Sequence, residues 1–220
     1  MKSGEFRERT TSLASSAQIL LTANQVDQLW TYYQLLSRWN RRINLTSLRL
    51  EPLLDATLSR LLIEPLAAAR YMPQFPINWI DVGSGGGSPA FPLKIVRPSA
   101  KLTLIEVRTR KAAFLTETAR ELRLTDVTVM NARFEDVAAS SDASRVAALV
   151  TVRAVKTDKA LVFAIEAVLQ SNGQVFLFGS QTLAPEVVAA FGDIQRLPLL
   201  PAGSSTLFIC KRSTWNVENR

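Results

Sequence analysis

Between residues 78 and 89 the chain reads Asn78-Trp79-Ile80-Asp81-Val82-Gly83-Ser84-Gly85-Gly86-Gly87-Ser88-Pro89. An apolar run that ends in an acid and enters a glycine-dense turn predicts a buried strand followed by exposed backbone. Gly83, Gly85, Gly86 and Gly87 crowd one turn, and glycine costs conformational entropy wherever it is not required. Such a turn suits close approach of a ligand to the main chain. A second apolar run, Leu102–Ile105, ends at Glu106, about twenty residues beyond the turn, where a carboxylate can take a pair of ribose hydroxyls. Two ligand classes use this arrangement, dinucleotides and S-adenosylmethionine.

The rest of the pattern separates them. Short apolar runs recur at Trp79–Val82, Leu102–Ile105, Val127–Met130, Ala147–Val152, Val175–Phe178, Ile194–Leu197 and Leu207–Cys210. Helical spacing fills residues 90–97, 108–123, 157–170 and 184–191, so the chain alternates strand and helix around a largely parallel sheet. Only Pro198 to Ser205 separates the last two runs, which predicts a closing antiparallel hairpin. A dinucleotide fold would continue with strand–helix–strand units. Its third glycine is also missing here, where Ser88-Pro89 stands. The expected fold is therefore α/β, a Rossmann-like seven-stranded methyltransferase sheet in residues 73–220. Before it, residues 1–72 form an N-terminal arm and helical extension. Within that extension, residues 1–18 read as a loosely held arm. Thr22 and Gln25 form a capping box ahead of a helix carrying Val26, Leu29, Trp30, Tyr33, Leu36 and Trp39. A further helix is expected from Pro52 to Tyr71.

Composition narrows the chemistry. The chain has no histidine, which removes Ser-His-Asp and Cys-His machinery and histidine metal sites, so no metal is expected. Cys210, the single cysteine, lies in an apolar run and reads as a core thiol. The polar N-terminus and the lack of a membrane-length apolar run lead to the expectation of a cytoplasmic protein with no membrane contact. The net charge of +7 argues for a polyanionic partner. Arg38, Arg41, Arg42 and Arg49 occur with no acid between them. Residues 97–123 hold seven cations (Arg97, Lys101, Arg108, Arg110, Lys111, Arg120, Arg123) against three glutamates.

Other candidate site residues follow the remaining strands. Asn131-Ala132-Arg133-Phe134-Glu135-Asp136 closes the third strand, where backbone amides and Phe134 are candidates for recognising an adenine. Arg153 follows the fourth strand at the carboxyl end of the sheet, where open α/β folds bind ligands.

Several of these segments together resemble the small-subunit ribosomal RNA guanine methyltransferases, the glucose-inhibited division protein B family, from about Leu29 to Gln181. They are Trp39-Asn40 with Asn44-Leu45-Thr46, the loop Asp81–Pro89, Ile95-Val96-Arg97-Pro98, Arg133 with Glu135, and Arg153-Ala154. The resemblance implies methyl transfer from S-adenosylmethionine to the ring nitrogen at position seven of a guanine, in small-subunit ribosomal RNA or the ribosomal subunit. A monomer is expected. It places Gly83, Ser88, Phe134, Glu135 and Arg153 at cofactor positions, with Glu106 in place of an aspartate. Gly85 and Gly87 join them as loop residues, and no catalytic residue is assigned. The chain departs from the family at Arg60-Leu61-Leu62-Ile63-Glu64-Pro65, where the family has Arg-His…Asp-Ser. It departs again at Thr109-Arg110-Lys111 for Gly-Lys-Arg, and at Phe178-Gly179-Ser180-Gln181 for Leu-Lys-Gly-Gln. Three alternatives stay open: a non-catalytic nucleotide- or RNA-binding module on the same fold, a methyltransferase with another RNA target, and a nicotinamide dehydrogenase.

Overall fold

Period-two burial organises the molecule. Trp79, Leu102, Leu104, Leu149, Phe176 and Ile209 pack into one apolar cluster, while their chain neighbours Ile80, Ile105, Val150, Val175, Leu177 and Cys210 pack into another. Successive side chains of a strand point to opposite faces, so these clusters are the two sides of one sheet. The computed structural model describes residues 3–179, 182–200 and 205–212. Among the described residues the sheet has seven strands in the order β3-β2-β1-β4-β5-β7-β6. They are β1 (Asn78–Val82), β2 (Lys101–Ile105), β3 (Val127–Met130), β4 (Ala147–Arg153), β5 (Leu169–Gly179), β6 (Phe191–Pro198) and β7 (Thr206–Arg212). The pairs β3/β2, β2/β1, β1/β4 and β4/β5 are parallel; β5/β7 and β7/β6 are antiparallel. The expected closing hairpin is present, with β7 inserted beside β5 and β6 at the edge. Burial explains that choice: Leu207–Cys210 is buried throughout, as a central strand requires, whereas β6 is mostly exposed.

Two groups of helices cover the faces. Helices α1 (Ser3–Ser16), α2 (Ala23–Asn40), α3 (Asp55–Leu58), α4 (Glu64–Ala68), α5 (Ala90–Val96) and α6 (Thr109–Glu121) contribute to the first cluster. Helices α7 (Phe134–Ala138), α8 (Lys159–Val168) and α9 (Pro185–Ala190) contribute to the second. The Thr22–Gln25 capping box forms as read, with both reciprocal bonds present. Asp158 caps α8 by accepting from the Leu161 amide. Cys210 is buried, and burial pushes its thiol up to about 12. None of the described helices is long and apolar enough to cross a membrane.

Two expectations for the extension need correction. From Ser3 onward the segment read as a loose arm is docked: α1 occupies Ser3–Ser16, and Phe6 is fully buried between Trp30 and Tyr33, with ring centroids 5.0 and 5.3 Å away. Arg9 fastens the helix further, donating to the Leu53 carbonyl at 2.9 Å and to Asp55. The helix expected over Pro52–Tyr71 starts only at Asp55 and passes through a π turn at Ser59–Ile63. Pro65 is the physical reason for the interruption. It has no N–H to give the carbonyl four residues back, and its ring displaces that carbonyl. The short helix α7 was not expected, and the run read as beginning at Val175 starts at Leu169.

On the first face a buried polar chain crosses from β1 to β4. The Trp79 indole donates to the Thr151 hydroxyl at 2.9 Å, and that hydroxyl donates to the Asp81 carboxylate. Asp81 is 1% exposed. Burial pushes its carboxyl up to about 6 from 3.8, overcoming the Thr151 hydrogen bond and the charge of Arg153.

Two predictions follow from packing and from that acid. Phe6→Ala should cost about 3 kcal/mol in denaturant unfolding, the usual penalty for emptying a buried aromatic site; a loss near zero would mean that α1 is not docked. The folded protein binds the Asp81 proton more tightly than the unfolded chain, so this group's contribution to stability falls as pH rises from 3.8 to about 6. Asp81→Asn can still accept the Thr151 proton and should remove roughly 1 kcal/mol of the stability lost between about pH 5 and about pH 7.5. An unchanged pH dependence in the variant would contradict this assignment.

Candidate functional site

The glycine turn leaves β1 at the topological switch point, where β2 and β4 diverge on either side of the strand, the usual ligand crevice of an open α/β sheet. The loop is fastened at several points. Gly83 and Ser84 both donate to the Ile105 carbonyl of β2, at 2.9 and 3.1 Å, and Gly87 donates to Ser84 at 2.7 Å. Glu106 holds it from the side. One carboxylate oxygen accepts from the Gly85 amide and the other from the Arg108 amide, each at 2.9 Å. Each oxygen keeps a further lone pair for a hydroxyl donor.

The glycines serve different ends. A side chain at Gly83 would place Cβ 2.6 Å from Val155, and one at Gly87 would fall 2.3 Å from the Phe91 ring. Those two positions are required by the protein's own packing. Gly85 differs: its φ is +51°, yet a Cβ there meets nothing closer than the Gly83 carbonyl at 3.6 Å. That side of the loop is open to a ligand.

Helix α2 forms the opposite wall. Tyr32 is buried and donates to the Gly86 carbonyl at 2.7 Å. Asn40, at the end of the helix, accepts from the Leu45 and Thr46 amides at 2.9 and 3.0 Å. This folds the following segment until the Leu45 carbonyl lies 3.1 Å from where a Gly86 Cβ would be. Asn40 thereby seats Leu45 directly against the glycine turn. In the Ile-Val-Arg-Pro segment, Arg97 donates to the Ala69 carbonyl at 2.7 Å, away from the cavity lining.

A third wall is ionic. The Arg153 guanidinium donates to Glu64 at 2.8 Å and to the Ser88 hydroxyl at 3.1 Å, and lies 5.8 Å from the centre of the Phe178 ring. Arg60 donates to the same Glu64 oxygen at 3.1 Å and also to Ser205. Both partners in the Glu64–Arg153 pair are nearly enclosed, with side chains 6% and 9% exposed. Burial lowers Arg153 to about 10, and repulsion from Arg60 adds to the effect, against the attraction of Glu64. Pro65 has a second consequence here. The Leu61 carbonyl, four residues back, receives no amide from Pro65 and accepts from the Ser88 hydroxyl at 2.8 Å. The chain's departure at Pro65 is thus linked to the position of Ser88.

These walls enclose a cavity of about 330 Å³ lined by Leu36, Leu45, Gly83, Gly85, Ser88, Lys111 and Arg153 among others. A second cavity of about 310 Å³ lies at the carboxyl ends of β4 and β5, lined by Val155, Phe178, Gly179, Leu183 and Phe208. Arg60 and Ala154 belong to the walls of both.

The structure thus brings Gly83, Gly85, Ser88 and Arg153 together around the first cavity. Gly87 is buried beneath it, and Glu106 joins through the Gly85 amide. Phe134 needs correction as a base-recognising ring: it is 5% exposed and packs into the second core cluster, leaving only the start of α7 near the end of β3. Glu135 is exposed in the first turn of α7. Sequence reasoning missed Tyr32 and Thr151, and it named Asn40 and Arg60 without assigning them these contacts. Only the four-residue spacing of Arg60 and Glu64 gave a local signal. In the segment Phe178-Gly179-Ser180-Gln181, Ser180 and Gln181 lie outside the described residues. Among the described residues no group of three or more acids or cysteines is placed to hold a metal ion.

Known proteins share the fold and much of the sequence. A precorrin-6y C5,15-methyltransferase from Geobacter metallireducens superposes with a TM-score of 0.52 at 14% identity, over 68% of this chain and 87% of that one. That likeness establishes the fold, a Rossmann-like methyltransferase sheet. Ribosomal RNA small subunit methyltransferase G of Pseudomonas putida is 38% identical over 131 residues, which is 60% of this chain and 59% of that protein's length. Its counterpart in Roseiflexus sp. strain RS-1 is 34% identical over 177 residues, covering 80% and 74% of the two chains. The family model for rRNA small subunit methyltransferase G matches residues 25–197, from the first turn of α2 to the end of β6, and this chain belongs to that family.

Proposed function

We propose that this chain is an S-adenosylmethionine-dependent methyltransferase acting on the ring nitrogen at position seven of a guanine in small-subunit ribosomal RNA, working in the cytoplasm as a monomer. The observation that carries the reading is the open side of Gly85, tied to the Glu106 carboxylate and facing a cavity walled by Arg153. The residues fit the cofactor. Bare amides suit its amino-acid portion, the spare lone pairs of Glu106 suit its ribose hydroxyls, and Arg153 suits its carboxylate. The cavity volume is that of a small-ligand site.

Held there by the loop amides, Glu106 and Arg153, the cofactor would offer an electrophilic sulfonium methyl to the in-plane lone pair of the guanine nitrogen. That nitrogen carries no proton, so the chain needs no general base, consistent with the absence of histidine. Its own residues bind, orient and exclude water. Alignment of donor and acceptor can supply most of the acceleration. Glu64 is poorly suited to balance the cationic product, because Arg60 and Arg153 already engage it. It holds the two arginines between the cavities instead. The target base would then enter from the second cavity, beyond Arg60.

Labelled cofactor incubated with this protein and 30S particles lacking the mark should give labelled 7-methylguanosine in nuclease digests. Label in another base would redirect the assignment to a different RNA target. Binding of S-adenosylhomocysteine with no transfer would favour the RNA-binding module, and calorimetric preference for NAD would favour the dehydrogenase. Gly85→Val tests the loop itself. The left-handed conformation should cost about 1–2 kcal/mol of stability, while affinity for S-adenosylhomocysteine falls by more than about tenfold as the branched side chain fills the open face. Unchanged affinity in a folded variant would place the cofactor elsewhere.

A further inference from the structure

Folding changes which of the sequence's arginines are available to a partner. Arg38 is paired with Glu117 on α6, and Arg41 with Glu51 at 2.9 Å. Arg42 and Arg110 are exposed and, among the described residues, neither is in an ion pair. They come from different elements, just past the end of α2 and the first turn of α6, yet they line one groove of about 550 Å³. Trp39 and Ile43, both half-buried, also line it. Trp39 meets the buried Phe114 ring edge-on at 5.9 Å, so the indole is held in place.

We infer that this groove holds an unpaired stretch of RNA beside the nucleotide to be modified. The inference rests on the proposed function and names where its substrate is gripped. Single-stranded nucleic acid is bound by cations that track the backbone, combined with an aromatic group against which a base packs. Arg42, Arg110 and Trp39 provide that combination. Position supports the same occupant. The segment that follows Asn40 contributes Ile43 to the groove and Leu45 to the cofactor cavity, while α6 contributes Arg110 to the groove and the next residue, Lys111, to the cavity. A strand lying in the groove therefore runs onto the rim of the methyl-transfer site. An anionic membrane would call for a convex or flat basic face, and these cations border a concavity.

The double variant Arg42→Ala/Arg110→Ala provides the test. In methylation assays the KM for RNA should rise about tenfold with kcat within about twofold, since the two side chains contact RNA and not the reacting atoms. The slope of log affinity against log salt should shrink by about 1.4, two phosphates at roughly 0.7 each. Affinity for S-adenosylhomocysteine, measured by calorimetry, should not move. An unchanged KM and salt slope in a variant that still methylates RNA would overturn the groove and leave the proposed function standing. If the unmodified protein transfers no methyl to RNA, that function fails, and anisotropy with a labelled single-stranded oligonucleotide decides on the groove alone. Weaker binding by the double variant supports it and equal binding overturns it. Loss of binding to phosphatidylglycerol vesicles, with oligonucleotide affinity unmoved, would overturn it in favour of a lipid surface.

Discussion

Glu106 and the Gly85 amide form the contact on which the site depends. A turn with bare backbone has no side chains of its own to hold it, so its shape must be imposed by its neighbours. Here the neighbours are the Glu106 carboxylate, the Ile105 carbonyl of β2 and the Tyr32 hydroxyl of α2. Each attaches at a different glycine or serine of the turn, and each comes from an element fixed by the core. The arrangement leaves one side of Gly85 uncovered. Rigidity comes from the scaffold and access from the missing side chain, and this combination makes a preorganised site on a loop.

The ionic wall follows a related logic. Isolating Glu64 from water with a single arginine would leave an expensive pair. Two guanidiniums, on Arg60 and Arg153, share its oxygen, and Ser88, Ser205 and the Phe178 ring take up remaining contacts of the arginines. The π turn and Pro65 matter because they reshape the backbone that presents these groups. Pro65 has no amide to give the Leu61 carbonyl, which accepts from Ser88. Breaking the helix thus couples the extension to the end of the glycine turn.

How much of this was legible in the sequence depends on how local each determinant is. Strands β1, β2 and β4 and the closing hairpin could be read because burial imposes apolar runs on every central strand, whatever surrounds it. The glycine turn was legible for the same reason: its requirement for bare backbone acts on each residue in place. Helix α1 was not, because its polar residues outnumber its anchors and the rings against Phe6 lie in α2. Phe134 misled because a ring at the end of a strand can face a ligand or the core, and only the position of α8 decides between them. Tyr32 gave no local signal, and the motif that contains Asn40 did not reveal what its side chain holds. Their partners, Gly86 and the Leu45 and Thr46 amides, become partners only once α2 has packed against the turn.

Charge shows the same limit most clearly. A stretch with Arg38, Arg41, Arg42 and Arg49 and no acid reads as a continuous basic face, yet Glu117 neutralises Arg38 from 79 positions away and Glu51 reaches back ten positions to Arg41. Counting cations along a chain therefore overstates the field that a polyanion would meet. The pairing is not final, however. Exposed ion pairs contribute only about 0–1 kcal/mol, and the Arg38 side chain remains 65% exposed. A phosphate arriving in the groove beside Arg42 and Arg110 could draw Arg38 from Glu117 at little cost. The buried Arg153–Glu64 pair could not be recruited in this way, because separating it would leave a charge enclosed without a partner. The two kinds of pair therefore differ in what an arriving anion could change: the exposed pair can exchange partners, and the enclosed pair keeps its geometry.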